Sequence, residues 1–119
     1  MTQTNELIDR YIATWNETDA AARRALIAEA WTAQGRYVDP VMAGEGVTGI
    51  DTMIAGVQAR FPGFHMRRVT EVDVHNDRVR FGWALGPQGG DPVVGGVDFG
   101  VVADGRLSAI TGFIDFAPA

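Results

Sequence analysis

The chain has 119 residues, enough for one good hydrophobic core spanning residues 1–119 and too few for two. Ten Lys+Arg against fifteen Asp+Glu give a formal net charge of -5 with no basic run, which argues against nucleic acid or an anionic membrane as a partner. No cysteine is present, so disulfides, thiolate zinc and a cysteine nucleophile are excluded. The polar start Met1-Thr2-Gln3-Thr4-Asn5-Glu6 and the lack of any apolar run of bilayer length point to a soluble, cytoplasmic protein.

From Asn5 to Trp15 the apolar residues Leu7, Ile8, Tyr11, Ile12 and Trp15 fall at helical spacing, with Tyr11 at the centre of the stripe. Asn16-Glu17-Thr18-Asp19 breaks the pattern, and Asp19 can cap a second helix. That helix would bury Ala22, Leu26, Ile27, Ala30 and Trp31 and keep Arg23, Arg24 and Glu29 wet. Arg36-Tyr37-Val38-Asp39-Pro40 reads as a short strand, since Pro40 biases Asp39 away from helix, and Ala43-Gly44-Glu45-Gly46 reads as a loop. Thr48-Gly49 opens a third helix carrying Ile50, Met53, Ile54, Val57 and Phe61, which Pro62-Gly63 ends.

The period then becomes strand-like. Four strands are predicted, over Met66–Val74, Val79–Leu85, Val93–Val102 and Leu107–Phe116, joined by turn formers such as His75-Asn76-Asp77 and Ala103-Asp104-Gly105. Such short connections imply antiparallel neighbours. Helices followed by a meander give an α+β fold in which a curved sheet packs on three N-terminal helices.

Asp98 stands out because the run Val93 to Val102 holds no other charged side chain. A carboxylate in such surroundings shifts its pKa or finds a hydrogen bond. Alternation puts Asp98 on one face with Val94, Gly96, Gly100 and Val102, and the two glycines leave a space there that a ligand could fill. The other face, with Val93, Val97, Phe99 and Val101, is too apolar to leave wet, which suggests a homodimer through the sheet. His65 and His75 do not make a metal pair, and no metal or other cofactor is expected.

Arg10-Tyr11-Ile12-Ala13-Thr14-Trp15-Asn16 with Asp19, Val38-Asp39-Pro40-Val41, Gly49 and Val93-Val94-Gly95-Gly96-Val97-Asp98 resemble the NTF2-like (SnoaL-like) superfamily, and within it the ketosteroid isomerases. The resemblance implies a cone-shaped, cystatin-like curved antiparallel sheet. It also implies that Asp39 is a general base, with Tyr11 and a protonated Asp98 donating to an enolate oxygen. That pKa arrangement is the one known from the ketosteroid isomerases and comes with the resemblance.

The chemistry has a physical logic of its own. Removing a proton next to a carbonyl needs a carboxylate near the carbon and donors aimed at the oxygen. Trp15, Met53, Val57, Phe81, Trp83, Leu85, Ile110 and Ile114 would then line an apolar pocket for a small hydrophobic molecule. Where that family carries further pocket tyrosines, this chain has Trp31 and Val57, and Tyr37 is the one other tyrosine.

Each of the three polar groups also has a plainer account. Tyr11 could be a core tyrosine bonded to backbone, Asp39 a turn aspartate and Asp98 a residue on a wet face. Function divides likewise among a ketosteroid isomerase-like enzyme, a SnoaL-like polyketide cyclase doing aldol chemistry, and a non-catalytic binding domain. Epoxide hydrolysis fits poorly, because Gly96 stands where that chemistry carries an arginine.

Overall fold

The computed structural model describes residues 2–118. Its elements, in chain order, are α1 (Thr2–Asn16), α2 (Ala20–Ala30), β1 (Trp31–Val38), β2 (Ala43–Glu45) and α3 (Gly46–Arg60), then β3 (Phe64–Arg68), β4 (Asp73–His75), β5 (Arg78–Pro87), β6 (Val94–Ala103) and β7 (Arg106–Phe116). Three helices lie against one face of a curved, open sheet ordered β2-β1-β7-β6-β5-β3, with β4 paired to β5. Leu7, Ile8, Tyr11, Ile27, Ile50 and Ile54 from the helices meet Phe81, Leu107 and Ile110 from the sheet in the core.

The expected caps and turns form. Asp19 Oδ2 accepts from Ala22 N at 2.8 Å and starts α2. The β4–β5 and β6–β7 hairpins turn through two residues each, with Asn76 at φ 52°, Asp104 at φ 54° and Gly105 at φ 76°. Beyond Phe61 the backbone enters the left-handed region at Gly63, φ 78°, and α3 ends.

Four expectations need correction. The sheet is mixed and not wholly antiparallel, because β1 pairs with β7 in parallel. Short turns dictate the direction only of the neighbours they join, whereas most of the chain separates β1 from β7. Next, Trp31 is not the last buried position of a helix. Its backbone is already extended, φ −116° and ψ 150°, and it begins a strand longer than the one expected. A register shift between Trp31 and Arg36 breaks the alternation that would have disclosed this strand. Thirdly, the expected loop at residues 43–46 is the edge strand β2 followed by the start of α3, and the run Met66–Val74 is two strands. Thr70 interrupts that run, where its Oγ1 accepts from Gly82 N at 2.8 Å.

The fourth correction concerns α2. Arg23 is buried, and Ala22 is exposed. Arg23 Nε donates to Asp51 Oδ1 at 2.6 Å, and Nη1 donates to Glu17 O and Gln58 Oε1, each at 2.9 Å. Gln58 Nε2 in turn donates to Trp15 O and Glu17 O. A buried guanidinium with this set of acceptors ties all three helices together, and losing either ionic partner would strand a charge.

Candidate functional site

Tyr11 and Asp98 come together in the core. Tyr11 Oη, on α1, donates to Asp98 Oδ2, on β6, at 2.7 Å, and each residue is 1% exposed. Burial pushes the Asp98 carboxyl up to about 7, and the charge of Asp39 adds to the rise, while hydrogen bonding from Tyr11 and the nearby Trp83 indole opposes it. Neither Trp83 Nε1 nor Asp98 Oδ1 completes a hydrogen bond. Tyr11 is raised well above an ordinary phenol, first by burial and then by Asp98. Its proton stays on at any ordinary pH.

The space expected beside Asp98 is filled by protein. A Cβ on Gly96 would collide with the carbonyl oxygen of Phe113, and one on Gly100 would lie 2.9 Å from both Ile110 Cδ1 and Val79 Cγ2. These glycines admit neighbouring strands, not a ligand.

The cavity lies between α3 and the sheet, with a volume of about 910 Å³, ample for a small organic molecule. Of the expected lining residues, Trp15, Met53, Val57, Trp83, Leu85 and Ile114 border it, whereas Phe81 and Ile110 lie in the core behind. Tyr11 and Asp98 are not on its wall either. Asp39 is, and so is Tyr37, which was not among the expected site residues.

Asp39 is half-buried just beyond β1. Its Oδ2 accepts from Tyr37 Oη at 2.7 Å, and its Oδ1 accepts from Val41 N at 2.8 Å and Met42 N at 3.0 Å. Pro40 lacks an N–H, and the chain turns so that the next two amides point back at the carboxylate. A carboxylate offers about four acceptor positions, so one on Oδ2 remains open. Tyr37 is fixed by the edge of Trp15, with ring centroids 5.6 Å apart. Burial, then the charge of Asp98, then the bond to Asp39 raise the Tyr37 hydroxyl well above an ordinary phenol. It is a donor and not a base.

Gly112 on β7 links the two carboxyl groups. A Cβ there would lie 2.9 Å from Asp98 Oδ1, 3.1 Å from Tyr37 Oη and 3.2 Å from Asp39 Cβ. The absence of a side chain lets Tyr37 stand between a buried acid and a carboxylate on the cavity wall. A sequence signal for Tyr37 existed: it lies two residues before Asp39 on an extended segment, and so on the same side.

A family model for the SnoaL-like domain matches residues 8–110. Among solved structures, a SnoaL-like family protein of Agrobacterium tumefaciens strain C58, itself provisionally assigned as an isomerase, is 40% identical. The match covers 97% of this chain and 99% of that one, with a TM-score of 0.90. A Jannaschia protein provisionally assigned as a SnoaL-like polyketide cyclase is 24% identical over 96% of this chain and 86% of its own, TM-score 0.75. One of Kribbella flavida, provisionally assigned as a ketosteroid isomerase, is 22% identical over 99% and 82%, TM-score 0.71. These last two speak for the fold alone. No curated protein matches the chain.

Proposed function

The chain belongs to the SnoaL-like family, with an NTF2-like fold, and on that footing we propose that it is a cofactor-independent proton-transfer enzyme acting on a small hydrophobic carbonyl compound. Asp39 is the general base. The observation that carries this reading is a half-buried carboxylate on the wall of an apolar cavity, oriented by three donors and left with one open acceptor position.

The first step moves a proton from the carbon beside the carbonyl to Asp39 Oδ2, and the electron pair of that C–H bond passes into an enolate. Negative charge thereby leaves Asp39 and appears on the substrate oxygen. Tyr37, whose hydroxyl bonds to the carboxylate beforehand, can turn to that oxygen as the charge moves. Tyr11 and Asp98, bonded to each other in the core and off the cavity wall, do not touch the substrate. Returning the proton to another carbon gives isomerisation. The test is turnover of a β,γ-unsaturated cyclic ketone, followed by the absorbance of the conjugated product; a rate no higher than that in buffer, across hydrophobic ketones of different size, contradicts the proposal.

Tyr37→Phe separates a working hydroxyl from a packing one, since the ring and its contact with Trp15 remain. One hydrogen bond to a charged group corresponds to about ten- to a hundredfold in rate. We expect kcat to fall within that range and KM to change little. An unchanged kcat assigns the ring to packing alone.

The outer face of the sheet supports a homodimer. Phe99, Phe113 and Phe116 are 42%, 53% and 49% exposed, and the first two meet edge to face with centroids 5.7 Å apart. A cluster of this kind is costly to leave in water. Sedimentation of the wild type at micromolar concentration is expected to give a dimer, and Phe113→Asp a monomer; a monomeric wild type refutes the interface.

A further inference from the structure

The cavity follows one face of α3. Gly49, Thr52, Met53, Gly56 and Arg60 all border it, at the three- and four-residue spacing that aligns side chains along a helix. Gly56 leaves the passage open, since nothing lies within 4 Å of where a Cβ on it would be. Asp39 belongs to the N-terminal end of this face. Its backbone N–H bonds Met42 O at 2.9 Å, and the β2 residue Gly44 packs so closely on the helix that a Cβ there would lie 2.9 Å from Gly49 O. At 1.5 Å of rise per residue, Arg60 lies about 16 Å further along the axis than Gly49.

Arg60 is the one cation bordering the cavity among the described residues. Its guanidinium lies 5.4 Å from the centroid of Phe61, another wall residue, and no described carboxylate pairs with it. Glu45, the acidic group at the rim, faces Arg36 at 3.9 Å. A cation in the last turn of a helix suits the helix dipole, which accounts for the charge of residue 60. The dipole does not account for the exposed guanidinium being held over the ring of Phe61 at the border of the cavity. Between the two ends the lining is almost wholly apolar, with Met53, Val57, Leu85 and Val94.

We propose that Arg60 is a specificity-determining residue and that the substrate is an elongated, amphipathic carboxylate, its carbonyl at Asp39 and its carboxylate at Arg60. The orientation rests on the proton-transfer reading. An ionised Asp39 repels a second anion at its own end, so the ligand carboxylate belongs at the other. The guanidinium offers a planar pair of donors to which a carboxylate presents two charged, equivalent oxygens, whereas an ester presents one uncharged carbonyl oxygen.

The probes are dansylamino-undecanoic acid and its methyl ester, which differ only in charge, titrated by fluorescence at low salt. With the wild type the acid is expected to bind about three- to tenfold more tightly than the ester, the range of an ion pair at a partly wet site. In Arg60→Met that ratio falls toward one, and Arg60→Lys keeps part of it. Equal binding of acid and ester by the wild type, or a ratio unchanged in Arg60→Met, overturns the role of Arg60 while the apolar cavity stands. If neither probe binds, the cavity is no ligand site, and the proton-transfer reading falls as well.

Discussion

Asparagine in place of Asp39 is expected to lower kcat/KM on a hydrophobic ketone by about 10²–10⁴-fold, the usual contribution of a positioned general base and equal to about 3–5 kcal/mol of transition-state stabilisation. The fold should survive. The asparagine carbonyl can still accept from the amides of Val41 and Met42, which hold the turn together now. Its NH2 group would replace Oδ2 opposite Tyr37 Oη, where a hydroxyl can accept as well as donate. What disappears is the open acceptor position on Oδ2, and with it the ability to take a proton. Steady-state kinetics beside a thermal melt separate the two effects: a large rate loss with a near-native Tm is the expected pair. Undiminished turnover would remove Asp39 from the mechanism.

The second large effect is on stability, and its sign is opposite to that of a salt-bridged acid. Burial pushes the Asp98 carboxyl in the folded protein up to about 7, against about 3.9 for an aspartate in an unfolded chain. Between those values the native state holds a proton that the unfolded chain has released. The contribution is therefore fully present below about pH 4, declines as pH rises toward 7, and is gone above it. Three pH units correspond to about 4 kcal/mol at most, a large part of the stability of a domain this size.

Asp98→Asn never ionises and leaves a carbonyl for Tyr11 Oη. The difference in unfolding free energy between the variant and the wild type should thus rise by about 3–4 kcal/mol in favour of the variant from pH 4 to pH 8. Urea melts at the two pH values read it directly. A difference that stays flat would mean that Asp98 is ionised throughout, and a difference of the opposite sign that Tyr11 and Trp83 outweigh its burial.

Much of the architecture is written in periodicity. The stripes of α1 and α3, the cap at Asp19 and the turn residues at positions 76, 104 and 105 are local signals with local causes, and they form as expected. The α2–β1 junction is hidden because Trp31 continues the helical spacing from Ile27 while its backbone has already become extended. Arg23 breaks the rule that charge faces water, because Asp51, Gln58 and the Glu17 carbonyl converge on it from segments distant in sequence.

The site shows the same division. Alternation along β6 is enough to turn Asp98 inward, but Tyr11 and Asp98, expected to donate side by side to a ligand oxygen, bond to each other instead. Alternation along one strand does not reveal what the next strand does with the room beside a glycine. The space by Gly96 and Gly100 went to β7 and β5, and the cavity opened elsewhere, along α3. That displacement leaves Tyr11 and Asp98 behind the wall, while Tyr37 and Asp39 stand on it.

Isomerisation and aldol closure differ in the fate of the enolate but share the proton abstraction that makes it. Incorporation of solvent deuterium beside the carbonyl of a saturated cyclic ketone, monitored by proton NMR, isolates that shared step from all later ones. Asp39 as base predicts enzyme-dependent exchange with the wild type that falls to the buffer rate in Asp39→Asn. Exchange that persists at the wild-type rate in that variant would contradict it.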